Sequence, residues 1–312
     1  MVDVRHRNRR NGATRLGRAL ALAVLMLPGA ASAQDVALTF DDLPAHSVLP
    51  PGETRLGVVA RLVAALADAG APATGFVNAA GLETRPEERA VLEVWRAAGH
   101  PLGNHGWSHA NLDAIGADVF ATELVRNEPV LQSLAGDSDW RWFRYPFLAE
   151  GQTPDVRRAA RAALRERGYK VASVTMDFSD WAFSEPWARC RSKGDAVGMA
   201  RLETLFLTSA EEALTASRTQ SRALYGRDIP YVLLMHVGAL DAHMMPRLLA
   251  LYQARGVRLV TLEAAMADPF YDADRTTADG PGPLSLETAA AAAGLPRPAR
   301  TDVQSELAGL CR

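Results

Sequence analysis

Short apolar runs alternate with amphipathic stretches along most of the chain. Residues 36–40 (Val-Ala-Leu-Thr-Phe) form a β-prone run that ends in Asp41-Asp42. Over 54–69, Leu56, Val59, Leu62, Val63 and Leu66 recur at helical spacing as far as Gly70, a residue type that commonly ends helices. The same reading predicts a strand over 73–77, a helix over 86–98, and a strand entering a loop over 101–109. It continues with helix 118–134, strand 142–145, helix 154–167, strand 171–175, a long helical stretch over 196–225, strand 231–235, helix 244–254 and strand 258–261. Strands that alternate with helices predict parallel β-structure with right-handed crossovers, so an α/β barrel or a doubly wound sheet. Beyond Pro269 the pattern fades into a stretch rich in Asp, Gly and Pro, then an alanine-rich helix over 286–293, which reads as a tail on the main domain. No internal repeat stands out.

Composition narrows the class. With 312 residues, 48% hydrophobic and 22% charged, the chain is neither disordered nor collagen-like and suffices for one large domain or two small ones. The net charge of −2 hides an asymmetry: residues 1–33 hold six arginines and one acid, leaving 28 basic and 35 acidic groups in the rest. So acidic a body excludes a nucleic-acid binder.

The first 33 residues run in the order of a secretory leader: a basic region, an apolar run over 19–27, Pro28-Gly29, then Ala31-Ser32-Ala33 before Gln34. Cleavage is expected after Ala33. The apolar run is shorter than the roughly 20 residues that span a bilayer, and no Cys near the cleavage site could carry a lipid. A secreted or periplasmic protein without a stable membrane anchor is therefore expected. Arg9-Arg10 lacks the apolar residues a twin-arginine signal places next, so the export route stays open, as does the oligomeric state. Export to an oxidising compartment makes Cys190 and Cys311 a candidate disulfide closing a long loop, with two free buried thiols the alternative.

Polar residues with catalytic potential fall just after the predicted strands: Asp41-Asp42, His105 and His109, Arg144, Asp177 and Asp180, and His236. In parallel α/β folds the carboxyl ends of all strands share one face, so residues distant in sequence can meet there. His105 and His109 are four apart, the spacing of neighbours on a helical turn. With a carboxylate, for which Asp42 is the best candidate, they would give a divalent metal three ligands and leave a position for water. His46, His100 and His243 have no such context and read as structural.

Five segments in order carry a family resemblance: Thr39-Phe40-Asp41-Asp42, Asn104–His109, Arg144-Tyr145-Pro146-Phe147, Asp177-Phe178-Ser179-Asp180-Trp181 and Leu233-Leu234-Met235-His236. Together they resemble the NodB-homology polysaccharide deacetylases, carbohydrate esterase family four, over about residues 35–269. The resemblance implies a distorted, seven-stranded (β/α) barrel over 34–270, preceded by the leader (1–33) and followed by a C-terminal tail (271–312). It implies a divalent metal, most often zinc, on Asp42, His105 and His109, with Asp41 as general base and His236 as general acid. Arg144 would tune Asp41, and Asp180 would orient Arg144. The Phe147 backbone N–H would hold an oxyanion, and Trp181 and Leu234 would wall the acetyl methyl. The implied substrate is an acetylated carbohydrate. Two departures bear on the groove: Phe147 stands where the family commonly has Tyr, and Leu148-Ala149-Glu150 follows where it has an immediate Gly.

Three other readings remain at this level. Gly106-Trp107-Ser108-His109-Ala110 approaches the nucleophile elbow of serine hydrolases, with Ala for the last Gly. The protein could be a secreted carbohydrate-binding protein without turnover. The same metal site could cleave an O-acetyl ester.

Overall fold

The computed structural model describes residues 1–3, 34–44, 46–279 and 285–312. Apart from its first three residues, the expected leader lies outside the described residues.

Eight strands are present: β1 (Gln34–Leu43), β2 (Ala73–Val77), β3 (Leu102–Asn104), β4 (Trp142–Phe143), β5 (Lys170–Val171), β6 (Met176–Asp177), β7 (Tyr231–His236) and β8 (Val257–Leu259). The helices are α1 (Arg55–Asp68), α2 (Arg89–Ala97), α3 (Leu112–Ala135), α4 (Pro154–Glu166), α5 (Ser184–Lys193), α6 (Ala196–Tyr225), α7 (Ala239–Ala254), α8 (Leu262–Met266), α9 (Asp272–Arg275), α10 (Leu286–Ala292) and α11 (Val303–Leu307). Seven strands run in the order β5-β4-β3-β2-β1-β7-β6, and β8 pairs with β1. Every pairing is parallel. The curled sheet is an open (β/α) barrel, because β5 and β6, neighbours in the chain, share no ladder among the described residues.

The centre of the sheet explains the apolar runs. β1 is buried on both faces, so Val36, Leu38 and Phe40 join one core and Ala37 another. Burial on both faces replaces strict alternation with a nearly continuous apolar strand. Helix α1 starts where Thr54 Oγ1 accepts the Gly57 N–H at 3.1 Å, and its apolar stripe of Val59, Leu62 and Leu66 faces the core.

Several bounds differ from the periodicity. The strand expected over 171–175 is two two-residue strands, β5 and β6, with residues 172–175 between them buried but unpaired in the ladder. Helix α3 starts six residues early, at a cap where Asn111 Oδ1 accepts the Asp113 N–H at 2.8 Å, and it breaks at Gly116 (φ +74°). That break puts the first turn out of phase with the rest, which hid it from a periodic reading. Helix α5 was not foreseen, because its sequence is mostly polar.

Cys190, in the last turns of α5, is bonded to Cys311, with Cα atoms 5.1 Å apart and a sequence separation of 121. The tail is held elsewhere too. Thr301 donates its N–H and hydroxyl to Glu212 at 2.7 and 2.9 Å, and Arg201 pairs with Glu306 at 2.7 Å. No helix of the described residues is long and apolar enough to cross a membrane.

Candidate active site

Asp41 and Asp42 close β1, and the backbone there breaks the rule that neighbours in a strand point to opposite faces. The register against β2 slips between Phe40 and Leu43, and Asp42 takes φ +63°. Such an irregularity re-aims a side chain, and both carboxylates line one pocket of about 420 Å³. All the predicted site residues line it except Arg144 and Asp180, which stand directly behind it.

His105 follows β3, and its Nδ1 lies 2.7 Å from the Arg144 carbonyl oxygen. A carbonyl only accepts, so Nδ1 carries the proton and the Nε2 lone pair is free. That Nε2 is 3.6 Å from both Asp41 Oδ2 and Asp42 Oδ1, while His109 Nε2 is 3.3 Å from Asp42 Oδ1. The two imidazoles do not share a helical turn, contrary to the reading of their spacing. They sit on an irregular loop shaped by Gly106 (φ +73°) and by His109 itself (φ +58°).

Asp42 Oδ1 is buried with no hydrogen-bond partner. Burial, then the neighbouring His105, depress His109 to about 4, so its ring is neutral near pH 7. Burial opposes ionisation of Asp42, but the His46 hydrogen bond and the surrounding imidazoles outweigh it and hold the carboxyl well below its usual range. Acceptors converging with no proton between them, one carboxylate and two imidazoles, fit a divalent cation and match the ligand chemistry of zinc.

Behind Asp41 lies the wholly buried Arg144. Its Nη1 is 3.2 and 3.3 Å from the two Asp41 oxygens, its Nη2 donates to Thr39 Oγ1 at 3.1 Å, and its Nε donates to the Ala172 carbonyl at 2.6 Å. Asp180 does not orient Arg144, as the resemblance had implied; it binds His236 instead. Asp180 Oδ2 accepts the His236 N–H at 2.6 Å, and Oδ1 lies 2.9 Å from His236 Nδ1. Burial alone would depress His236, but Asp180, then Asp42 and Asp41, lift it to about 10. Deeper still, burial and the Asp180 charge push Asp241 well above the usual carboxyl range. Asp41 and His236 are register partners across β1 and β7.

The mouth is apolar. Phe147 is 63% exposed, Trp181 43% and Leu148 40%, and Leu234 closes the floor. Phe147 sits at φ +59° and Leu148 at φ +53°, a left-handed conformation that bulky side chains rarely adopt.

One site residue escaped the sequence. His46 Nδ1 is 2.8 Å from Asp42 Oδ2, and its ring is 4.6 Å from that of His236. The available signal was its position four residues after Asp42, which carries no meaning until the chain is known to turn there. Ser108, the nucleophile of the rival reading, gives its hydroxyl to Glu123 at 2.8 Å and sits on a bend in a loop, not on a strand-to-helix elbow.

Comparison with known proteins agrees with this geometry. A chitin deacetylase of Pestalotiopsis sp is 24% identical over 234 residues, 74% of this chain and 63% of that protein. A peptidoglycan-N-acetylglucosamine deacetylase of Bacillus cereus is 26% identical over 149 residues, 47% of this chain and 46% of that protein. The chain thus spans less than two thirds of either relative. Among solved structures, a CE4 family pseudoenzyme from Bacillus anthracis superposes with a TM-score of 0.53 at 14% identity, covering 75% of this chain and 66% of that one, a likeness of fold alone. The family model for polysaccharide deacetylase matches residues 29–172, which carry the first three of the five motifs. Over residues 29–172 the chain matches the polysaccharide deacetylase family, the one that the five motifs resemble.

Proposed function

We propose that the protein is a metal-dependent hydrolase that removes N-acetyl groups from an amino-sugar polymer or oligomer of the chitin or peptidoglycan type. The observation that carries this reading is the unpartnered Asp42 Oδ1 facing the free Nε2 atoms of His105 and His109, in a pocket that Asp41 and His236 enter side by side. Asp42, His105 and His109 would hold the cation, zinc by resemblance. Bound there, it polarises a carbonyl oxygen and lowers the pKa of water to roughly 7.

The chain's own groups supply the rest. Asp41, held by Arg144, takes the proton of the attacking water, as a base within hydrogen-bond reach can. The Phe147 N–H donates to the oxyanion as it forms. His236, steadied through Nδ1 by Asp180, gives its Nε2 proton to the departing amine, which leaves only when protonated. Leu234 and Trp181 enclose the acetyl methyl.

A secreted or periplasmic location is supported by the leader-like N-terminus and by the Cys190–Cys311 bond, which suits an oxidising compartment. Acetate release should be measured over a panel of N- and O-acetylated glycans, with metal content assayed in parallel. Release from N-acetyl glycans that tracks bound metal supports the reading. Release from O-acetyl esters alone would replace it with an esterase, and labelling of Ser108 by a serine-reactive phosphonate would overturn it.

A further inference from the structure

The candidate active site does not end at its own pocket. A second hollow of about 270 Å³ shares Leu148 and Asp177 with it, and a third of about 430 Å³ shares His46 and Trp181. The central pocket adjoins both, and the two outer hollows share no lining residue with each other. Exposed apolar side chains, Leu148 on one side and Trp181 on the other, mark the two passages.

Both outer hollows take a wall from the C-terminal tail. Arg300 and Glu287 line one, and Gln304 lines the other from α11. Arg300 is fixed there, since its Nη2 donates to the Asp177 carbonyl at 2.7 Å and its Nη1 is 3.3 Å from Glu287. The body supplies further polar groups: Ser179 and Gln220 to the first hollow, Glu185 to the second. Polar hollows separated by flat apolar faces suit a chain of sugar rings, whose faces stack while their hydroxyls and amides seek hydrogen bonds. One amino-sugar unit displaces roughly six water volumes of about 30 Å³ each, so either outer hollow accepts at least one unit.

We infer that the C-terminal tail builds two flanking subsites, one around Arg300 and one around Gln304, so that the protein acts on an internal unit of an acetylated amino-sugar chain with at least one unit bound on either side. This rests on the deacetylase reading above and adds to it which unit is taken and what reads its neighbours.

The test uses the full metal-loaded chain with N-acetylglucosamine oligomers from dimer to tetramer, measuring kcat/KM for acetate release and, separately, binding by titration calorimetry. The tetramer is expected to exceed the dimer by at least tenfold in both. Gln304→Ala, which removes no contact that anchors the tail, and Arg300→Lys, which keeps the charge, should each lower the tetramer-to-dimer ratio about tenfold, the loss of one or two hydrogen bonds. Length-dependent binding that the two variants diminish, without acetate release, would uphold the subsites and count against the catalytic reading. Equal affinity for dimer and tetramer, or wild-type ratios in both variants, would overturn the inference.

Discussion

Asp180 grips His236 twice, accepting its backbone N–H on one oxygen and meeting ring Nδ1 with the other, at 2.6 and 2.9 Å. Both oxygens are committed, and the wholly buried Asp241 lies behind them, its carboxyl pushed well above the usual range by burial and by the Asp180 charge. Asp180→Asn leaves one oxygen for two donors and turns an amide N–H toward one of them. Because the ring then loses the carboxylate that keeps it protonated and oriented, kcat should fall on the order of 10² to 10⁴-fold, the range of general acid–base catalysis, with KM and metal content retained. Steady-state kinetics on an acetylated oligomer check this, and an unchanged kcat would dismiss His236 as the acid.

In the proposed metal site, Asp42, His105 and His109 would hold the ion and His46 would orient Asp42. His105→Ala and His109→Ala should abolish binding of one zinc per chain, measured by elemental analysis after dialysis. Asp41→Asn should retain the zinc yet release no acetate. His46→Ala should weaken zinc binding about 10 to 100-fold, the usual effect of removing a hydrogen-bond partner from a ligating carboxylate. Wild-type zinc affinity in that variant would reduce His46 to a bystander.

Glu150 gives a stability dependence on pH that is separate from catalysis. Burial, reinforced by the negative charge of Asp274, pushes its carboxyl up to about 8, against 4.5 for the free group, and one of its oxygens is buried without a partner. The folded chain therefore holds a proton that the unfolded chain releases, so stability is full below about pH 4.5 and declines as pH rises through 8. Glu150→Gln keeps the shape without the charge. Its melting temperature should exceed the wild type's at pH 8.5 and match it at pH 5; the opposite order would place a cation against this carboxylate.

Reduction of the Cys190–Cys311 bond frees a loop of 121 residues in the unfolded chain. Chain-entropy reasoning assigns closure of a loop this long about 4 to 5 kcal/mol. Cys190→Ser, or dithiothreitol, should lower the urea midpoint accordingly. A midpoint unmoved by reductant would mean that the thiols are not bonded in solution.

Much of this was legible in the sequence because the fold writes its active face into the ends of its strands. Asp41, His105, Arg144 and His236 each follow or close a strand that could be read from apolar runs, and the alternation of strands with helices pointed to the parallel class; the long helix over 196–225 matches α6, which an Asp195 cap and a Gly226 stop frame. What could not be read depends on backbone turns that leave no periodic trace. His46 meets Asp42 only because the chain turns after β1, and Asp180 meets His236, not Arg144, because of the left-handed Ser179 (φ +58°) just before it. The hydrophobic pattern locates elements; it is silent on which of two neighbouring charges a buried carboxylate will choose.

The pairing of β1 with β7 gives the reaction a rigid gauge. Asp41 and His236 face each other as partners on neighbouring strands of one hydrogen-bonded ladder, so the spacing of their backbones is set by the separation of strands in a sheet, about 4.8 Å, and not by any loop. Loops, tail and mouth can change while Asp41 and His236, the base and acid of the proposed reaction, keep their separation. Substrate preference and chemistry are thereby free to evolve on different parts of the chain.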